Sequence, residues 1–198
     1  MNLVNVVLAR CRPLASILIS LALAGVTVIG AESSLGAAQL IQQASPNPGP
    51  AVGRSAIAFS LQTLDGISVT LDTLHGKPFV MNFFASWCDP CREEMPLINQ
   101  LASAGTKDGY TLLGVAVEDT RAAITEYAKE YKLVFPIALD LNSTVKRAYR
   151  IFGPPATFFI DGQGIIRDIV LGPITRERMH EALIKISAPP GKMLSGQP

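Results

Sequence analysis

Two cysteines three residues apart, Cys88 and Cys91, lie in Trp87-Cys88-Asp89-Pro90-Cys91. A thiol pair at this spacing can close a disulfide and exchange it with another protein, or supply half of a zinc site. The zinc reading needs two further ligands. The third cysteine, Cys11, sits between Arg10 and Arg12 ahead of a long apolar run and reads as an incidental thiol. His75 falls in an expected loop and His180 on the polar side of the last helix, so both read as solvated. No metal and no cofactor are expected, and redox chemistry is favoured.

The apolar run Phe79 to Phe84 leads into the pair, and helical sequence follows it. That order places Cys88 near a helix N-terminus, where unpaired N–H groups and the helix dipole favour a thiolate. Cys91, one turn later, is expected to be more buried. Cys88 would then attack a partner's disulfide, and Cys91 would resolve the mixed disulfide.

The elements that must hold this pair show in the apolar period. Runs rich in β-branched and aromatic residues at 79–84, 112–117, 157–160 and 165–171 read as strands. Residues 57–61 and 67–71, separated by Asp65-Gly66, suggest a preceding hairpin, and Asp161-Gly162 suggests a later one. Helical spacing joins Ile124, Tyr127, Ala128 and Tyr131, with Asp119 or Thr120 as the start. It recurs at Met179, Ala182, Leu183 and Ile186 after Thr175. Strands alternating with helices imply an α/β sandwich with a mixed sheet.

Composition narrows the function classes. The 198 residues carry 17 Lys+Arg against 16 Asp+Glu and are 48% hydrophobic, which excludes a disordered chain. With a net charge of +1 and no basic block, the chain has no footprint for nucleic acid. Residues 14–31 contain no charge and follow Arg10, Arg12 and Pro13. Residues 1–31 are read as a membrane anchor, with a cleaved signal peptide as the alternative. The arginines keep the N-terminus in the cytoplasm and everything after Glu32 outside. The proline-rich stretch 32–51 reads as a linker, 52–188 as one domain, and 189–198 as a disordered tail.

Trp87-Cys88-Asp89-Pro90-Cys91 after an apolar strand, and Gly153-Pro154-Pro155-Ala156-Thr157 before another, resemble the thioredoxin superfamily. More closely, residues 52–187 resemble the exported, membrane-tethered thiol-disulfide oxidoreductases of the TlpA/ResA/DsbE type. The front hairpin, Arg92-Glu93-Glu94-Met95-Pro96 and an added segment at 131–149 carry that likeness. The resemblance implies a thioredoxin-like three-layer sandwich with a mixed central sheet, an N-terminal hairpin and a central insertion. It also implies a cis bond before Pro155, which would set the Pro154 carbonyl beside the cysteines and present backbone to an extended client segment. It marks Glu94 as an acidic residue near the pair, and Trp87 as its aromatic flank, with plain surface packing as the alternative for Trp87.

General thioredoxins carry a buried Asp six residues before the first cysteine, where this chain has Asn82. Asn cannot take the proton that Cys91 must lose, so Glu94, on the same helix face as Cys91, is the expected acceptor. Burial and thiolate charge would raise its pKa toward working pH. Glu93 reads as a solvated neighbour. A peroxiredoxin would need Pro and Thr or Ser where Met81 and Ala85 stand, and a copper chaperone of this fold would need cysteines one residue further apart.

Asp89 places a negative charge between the cysteines and disfavours the thiolate, which makes the dithiol a stronger reductant. With the resemblance, this favours a reductase of extracytoplasmic disulfides, on clients such as apocytochrome c. A transmembrane protein would donate the electrons. A disulfide oxidase and a redox-inert client-binding module are the alternatives.

Overall fold

The computed structural model describes residues 49–187. Cys11, the apolar run at 14–31, nearly all of the 32–51 linker and the tail lie outside the described residues. Among the described residues, no helix is long and apolar enough to cross a membrane.

Seven strands form one mixed sheet: β1 (Ser60–Thr63), β2 (Ser68–Thr70), β3 (Phe79–Phe84), β4 (Thr111–Val117), β5 (Ile137–Asp140), β6 (Ala156–Ile160) and β7 (Ile166–Leu171), in the spatial order β2-β1-β5-β4-β3-β6-β7. The central pairs β3·β4 and β4·β5 are parallel, and the outer pairs are antiparallel. All six residues of β3 are buried, as a strand covered on both faces requires. Its side chains alternate. Val80 and Phe84 join a cluster with Met95, Ile98, Ile124, Tyr127, Met179 and Ile186. Phe79, Met81 and Phe83 join the opposite cluster with Val115, Val145, Tyr149 and Phe158.

Those clusters define the layers. Helices α2 (Asp89–Asp108), α3 (Arg121–Glu130) and α5 (Arg176–Ser187) cover the first face. The short helices α1 (Leu71–Leu74) and α4 (Thr144–Ala148) lie on the other, with the segment ahead of β1. The expected three-layer sandwich is therefore present. Phe83 packs against Tyr149 and Phe158 with ring centroids 5.5 and 5.7 Å away. Truncating it to Ala would cost about 3–5 kcal/mol.

Helix α2 begins where a strand can no longer continue. Cys88 is its N-cap in extended conformation, and Pro90 sits in the first turn, where a missing N–H costs nothing. It ends at Gly109, whose φ of +81° closes the helix with an N–H bond to the Gly105 carbonyl. Thr120, rather than Asp119, caps α3, through its hydroxyl and the Ala123 N–H.

Two expectations need adjusting. The front hairpin pairs 60–62 with 68–70, so its first strand starts three residues later than the apolar run at 57 suggests. Ala56 and Phe59 are buried outside any strand. The added segment at 131–149 is also more than an appendage. It supplies β5, which lies between β1 and β4, followed by α4.

Candidate redox site

The end of β3 delivers the chain to the top of α2, and β6 delivers a second loop beside it. Register explains the meeting: Asn82 faces Thr157 and Phe83 faces Ala156 across the β3·β6 pair. The residues just before β6 therefore arrive next to those just after β3.

Cys88 and Cys91 form a disulfide in the structure. Cys88 is 4% exposed and Cys91 fully buried, so the order of access expected from the sequence is present. Cys88 Sγ accepts the Cys91 N–H at 3.2 Å, an N-cap bond in which sulfur replaces the usual side-chain oxygen. The same donor would stabilise a Cys88 thiolate. The Pro154 carbonyl oxygen lies 3.6 Å from Cys88 Sγ, and the Pro154–Pro155 bond is cis. The Pro155 carbonyl is occupied by the Gly172 N–H at 2.9 Å.

Glu94 is buried, whereas Glu93 beside it is exposed. One Glu94 oxygen accepts from Asn82 Nδ2 at 3.1 Å and the other from the Ile174 N–H at 2.9 Å. Burial pushes the Glu94 pKa up, and these two donors offset part of that. Among the described residues neither oxygen bonds a cysteine sulfur, so a proton leaving Cys91 for Glu94 would need a bridging water. Asn82 Nδ2 also donates to Thr157 Oγ1 at 3.0 Å, while its Oδ1 is buried without a partner among the described residues. Asn82 is thus the carboxylate's hydrogen-bond neighbour, a role its residue type did not reveal.

Trp87 is 56% exposed, and its indole N–H donates to the Glu118 carbonyl at 2.8 Å. The ring stands at the surface with its polar edge tethered. Further groups holding this loop escaped the sequence reading. Asp119 Oδ2 accepts the Ser86 N–H at 2.6 Å. Arg92 lies over the rings of Tyr127 and Tyr131, donates to the Ser86 carbonyl and pairs with Glu130. A lone Asp ahead of a helix reads as a cap, and nothing in its sequence window points to the redox loop 33 residues earlier. His75 and His180 are exposed, and no group of three or more potential metal ligands occurs among the described residues.

Residues 52–169 match the AhpC/TSA family. The chain is 36% identical over 140 residues to the thiol-disulfide oxidoreductase ResA of Oceanobacillus iheyensis, covering 69% of this chain and 73% of that one. Among solved structures it resembles MTB DsbF, with a TM-score of 0.61 and 30% identity over 65% of this chain and 94% of that one. It also resembles a secreted Mycobacterium tuberculosis disulfide oxidoreductase described as homologous to E. coli DsbE. That likeness has a TM-score of 0.59 and 25% identity over 64% and 94% of the two chains. At the two positions where a peroxiredoxin would carry Pro and Thr or Ser, this chain has Met81 and Ala85. Both are buried and apolar, with no hydroxyl to orient a peroxide.

Proposed function

The chain belongs to the AhpC/TSA family and is a ResA-like thiol-disulfide oxidoreductase, and on that premise we propose that it reduces disulfides of exported clients from a membrane-tethered position. The observation that carries this reading is the asymmetry of the pair: Cys88 caps a helix and keeps a 4% opening to solvent, while Cys91 is fully sealed beneath it.

In the proposed cycle the dithiol form starts. The Cys88 thiolate attacks a client sulfur, the client S–S bond breaks, and its first thiolate leaves. Cys91 then loses its proton to Glu94 by way of a water and attacks Cys88 Sγ. The mixed disulfide breaks, the second client thiolate leaves, and the Cys88–Cys91 disulfide remains. Two electrons have passed to the client, so a membrane-borne dithiol donor must restore the enzyme. The Pro154 carbonyl beside Cys88 supports docking of an extended client segment, with Trp87 and Pro155 flanking it. Asp89, exposed in the first turn of α2, supports the reducing direction by opposing a second negative charge on Cys88. The charge-free run at 14–31 after two arginines, and the secreted M. tuberculosis relative, support an extracytoplasmic domain. Clients with the Cys-x-x-Cys-His thiols of apocytochrome c fit such a compartment.

Two measurements test this. In membranes, Cys91→Ala should accumulate mixed disulfides through Cys88, and Cys88→Ala should accumulate none. Adducts on Cys88→Ala alone would reverse the roles. The reduction potential of the pair should lie nearer about −270 mV, that of a reductant of this fold, than about −120 mV, that of a dedicated oxidant. A value near the latter would make the protein an oxidase.

A further inference from the structure

A chain of contacts ties the redox loop to a helix on the opposite face of the sheet. Trp87 Nε1 donates to the Glu118 carbonyl at 2.8 Å, and the Glu118 carboxylate pairs with Lys146 Nζ, on α4, at 2.7 Å. Next to it, Asp119 holds the Ser86 N–H. Glu118 has a φ of +53°, in the left-handed region where Cβ crowds the carbonyl. A residue with a side chain keeps that conformation when its surroundings impose it.

The two ends of the ion pair differ. The Lys146 residue is 7% exposed, while the Glu118 side chain is 43% exposed. The Lys146 backbone is itself pinned, because its N–H donates to Asp140 Oδ2 at 2.7 Å. A buried ammonium needs a fixed counter-charge. Glu118 is its ion-pair partner among the described residues. An exposed surface pair would be worth little, but here one end is anchored and the other end carries strained backbone.

We propose that Lys146 and Glu118 are positioning residues of the redox site: their ion pair holds the Glu118 backbone so that its carbonyl fixes the indole of Trp87, the neighbour of Cys88. Neither side chain bonds a sulfur, and both act through Trp87. The kinetic part rests on the proposed function, since it takes Trp87 as the flank against which a client docks.

Trp87 is the chain's single tryptophan, so its emission reports on this bond without a label. Lys146→Met keeps a long apolar stem and leaves an exposed Glu118 carboxylate to water. In the full-length variant the Trp87 fluorescence anisotropy should fall and its emission shift, with unchanged far-UV circular dichroism. Its kcat/KM for a disulfide peptide should fall about fivefold through KM, as for residues coupled in one network. Trp87→Phe has no indole N–H, so adding Lys146→Met to it should cost nothing further. Unchanged anisotropy in Lys146→Met, or the same loss of kcat/KM in both backgrounds, overturns the proposal. If Lys146→Met does not fold, Glu118→Gln is read by the same criteria, because it changes an exposed side chain and retains an acceptor for the ammonium. The emission measurement needs no client. A chain without reductase activity whose Trp87 still responds to Lys146→Met would sink the proposed function and leave the positioning role standing.

Discussion

Glu94, beside the redox pair, and Asp168, on β7 at the sheet edge, are equally buried at 5% exposure, yet their acidities move in opposite directions. Among the described residues the donors to Glu94 are neutral, the Asn82 amide and the Ile174 N–H, and burial prevails and raises its pKa. For Asp168 burial also pushes upward, but hydrogen bonds from Arg178, Lys185 and the Ile169 N–H outweigh it and hold the carboxyl below its usual range. Arg178 Nη1 and Lys185 Nζ reach it from α5 at 2.7 and 2.6 Å. Burial alone therefore does not set the charge of a carboxylate; the cations brought to it do. A carboxyl whose pKa burial raises beside the cysteine pair fits the proposed proton transfer, and one clamped between cations suits joining a strand to a helix.

The largest expected effect breaks the comparison on the catalytic side. Glu94→Gln should slow the resolving step about a hundredfold, the scale of a lost general base, and flatten the pH dependence of thiol exchange. Glu93→Gln and Asp168→Asn should leave both unchanged. Stopped-flow exchange across pH 5 to about 9 checks this, and a wild-type profile in Glu94→Gln would remove Glu94 from the mechanism.

On the structural side, Asp168→Asn should lower unfolding free energy by about 2 kcal/mol at pH 7, because it strands two partly solvated cations beside a buried amide. Urea denaturation measures it. A loss from Glu94→Gln as large as this at pH 7 would erase the distinction.

The pH dependence of stability sharpens the contrast further. The Asp168 contribution is present above the ordinary Asp pKa of 3.8 and is lost as pH falls through its lower folded value. Glu94 behaves in reverse: its contribution is present below the ordinary Glu pKa of 4.5 and is lost as pH rises through the raised folded value. The stability gap between wild type and Asp168→Asn should therefore close in strong acid. Glu94→Gln should gain on wild type as pH rises above 4.5. Opposite slopes in denaturation at a series of pH values are the expected result, and parallel slopes would refute it.

The smallest effect is that of Lys185→Met. The Lys185 side chain is half exposed, so its loss should cost only about 0.5 kcal/mol while Arg178 still holds Asp168.

Much of the site was legible from residue types in short windows. Cys88 as the helix start follows from an apolar strand meeting Pro90, and the burial of Glu94 rather than Glu93 follows from its spacing from Cys91 on one helix face. Strand β5 was not legible. Its four residues, Ile137 to Asp140, are too few to show a period, and they form a strand because β1 and β4 pair with them on either side. Lys146 carries a charge on a short helix and would be assigned to solvent, yet α4 turns it inward toward Glu118.

The amino-acid sequence by itself determines the redox pair, the strand ahead of it and the helix that begins at it, because each depends on neighbours a few residues away. The tertiary structure alone decides the donors around Glu94, which come from Asn82 and Ile174, 12 and 80 residues distant. It likewise decides the tether of Trp87 to Glu118, 31 residues on. Such partners are set by sheet register and helix docking, and a carboxylate's proton affinity depends on charges and donors within a few ångströms in space, whatever their separation along the chain.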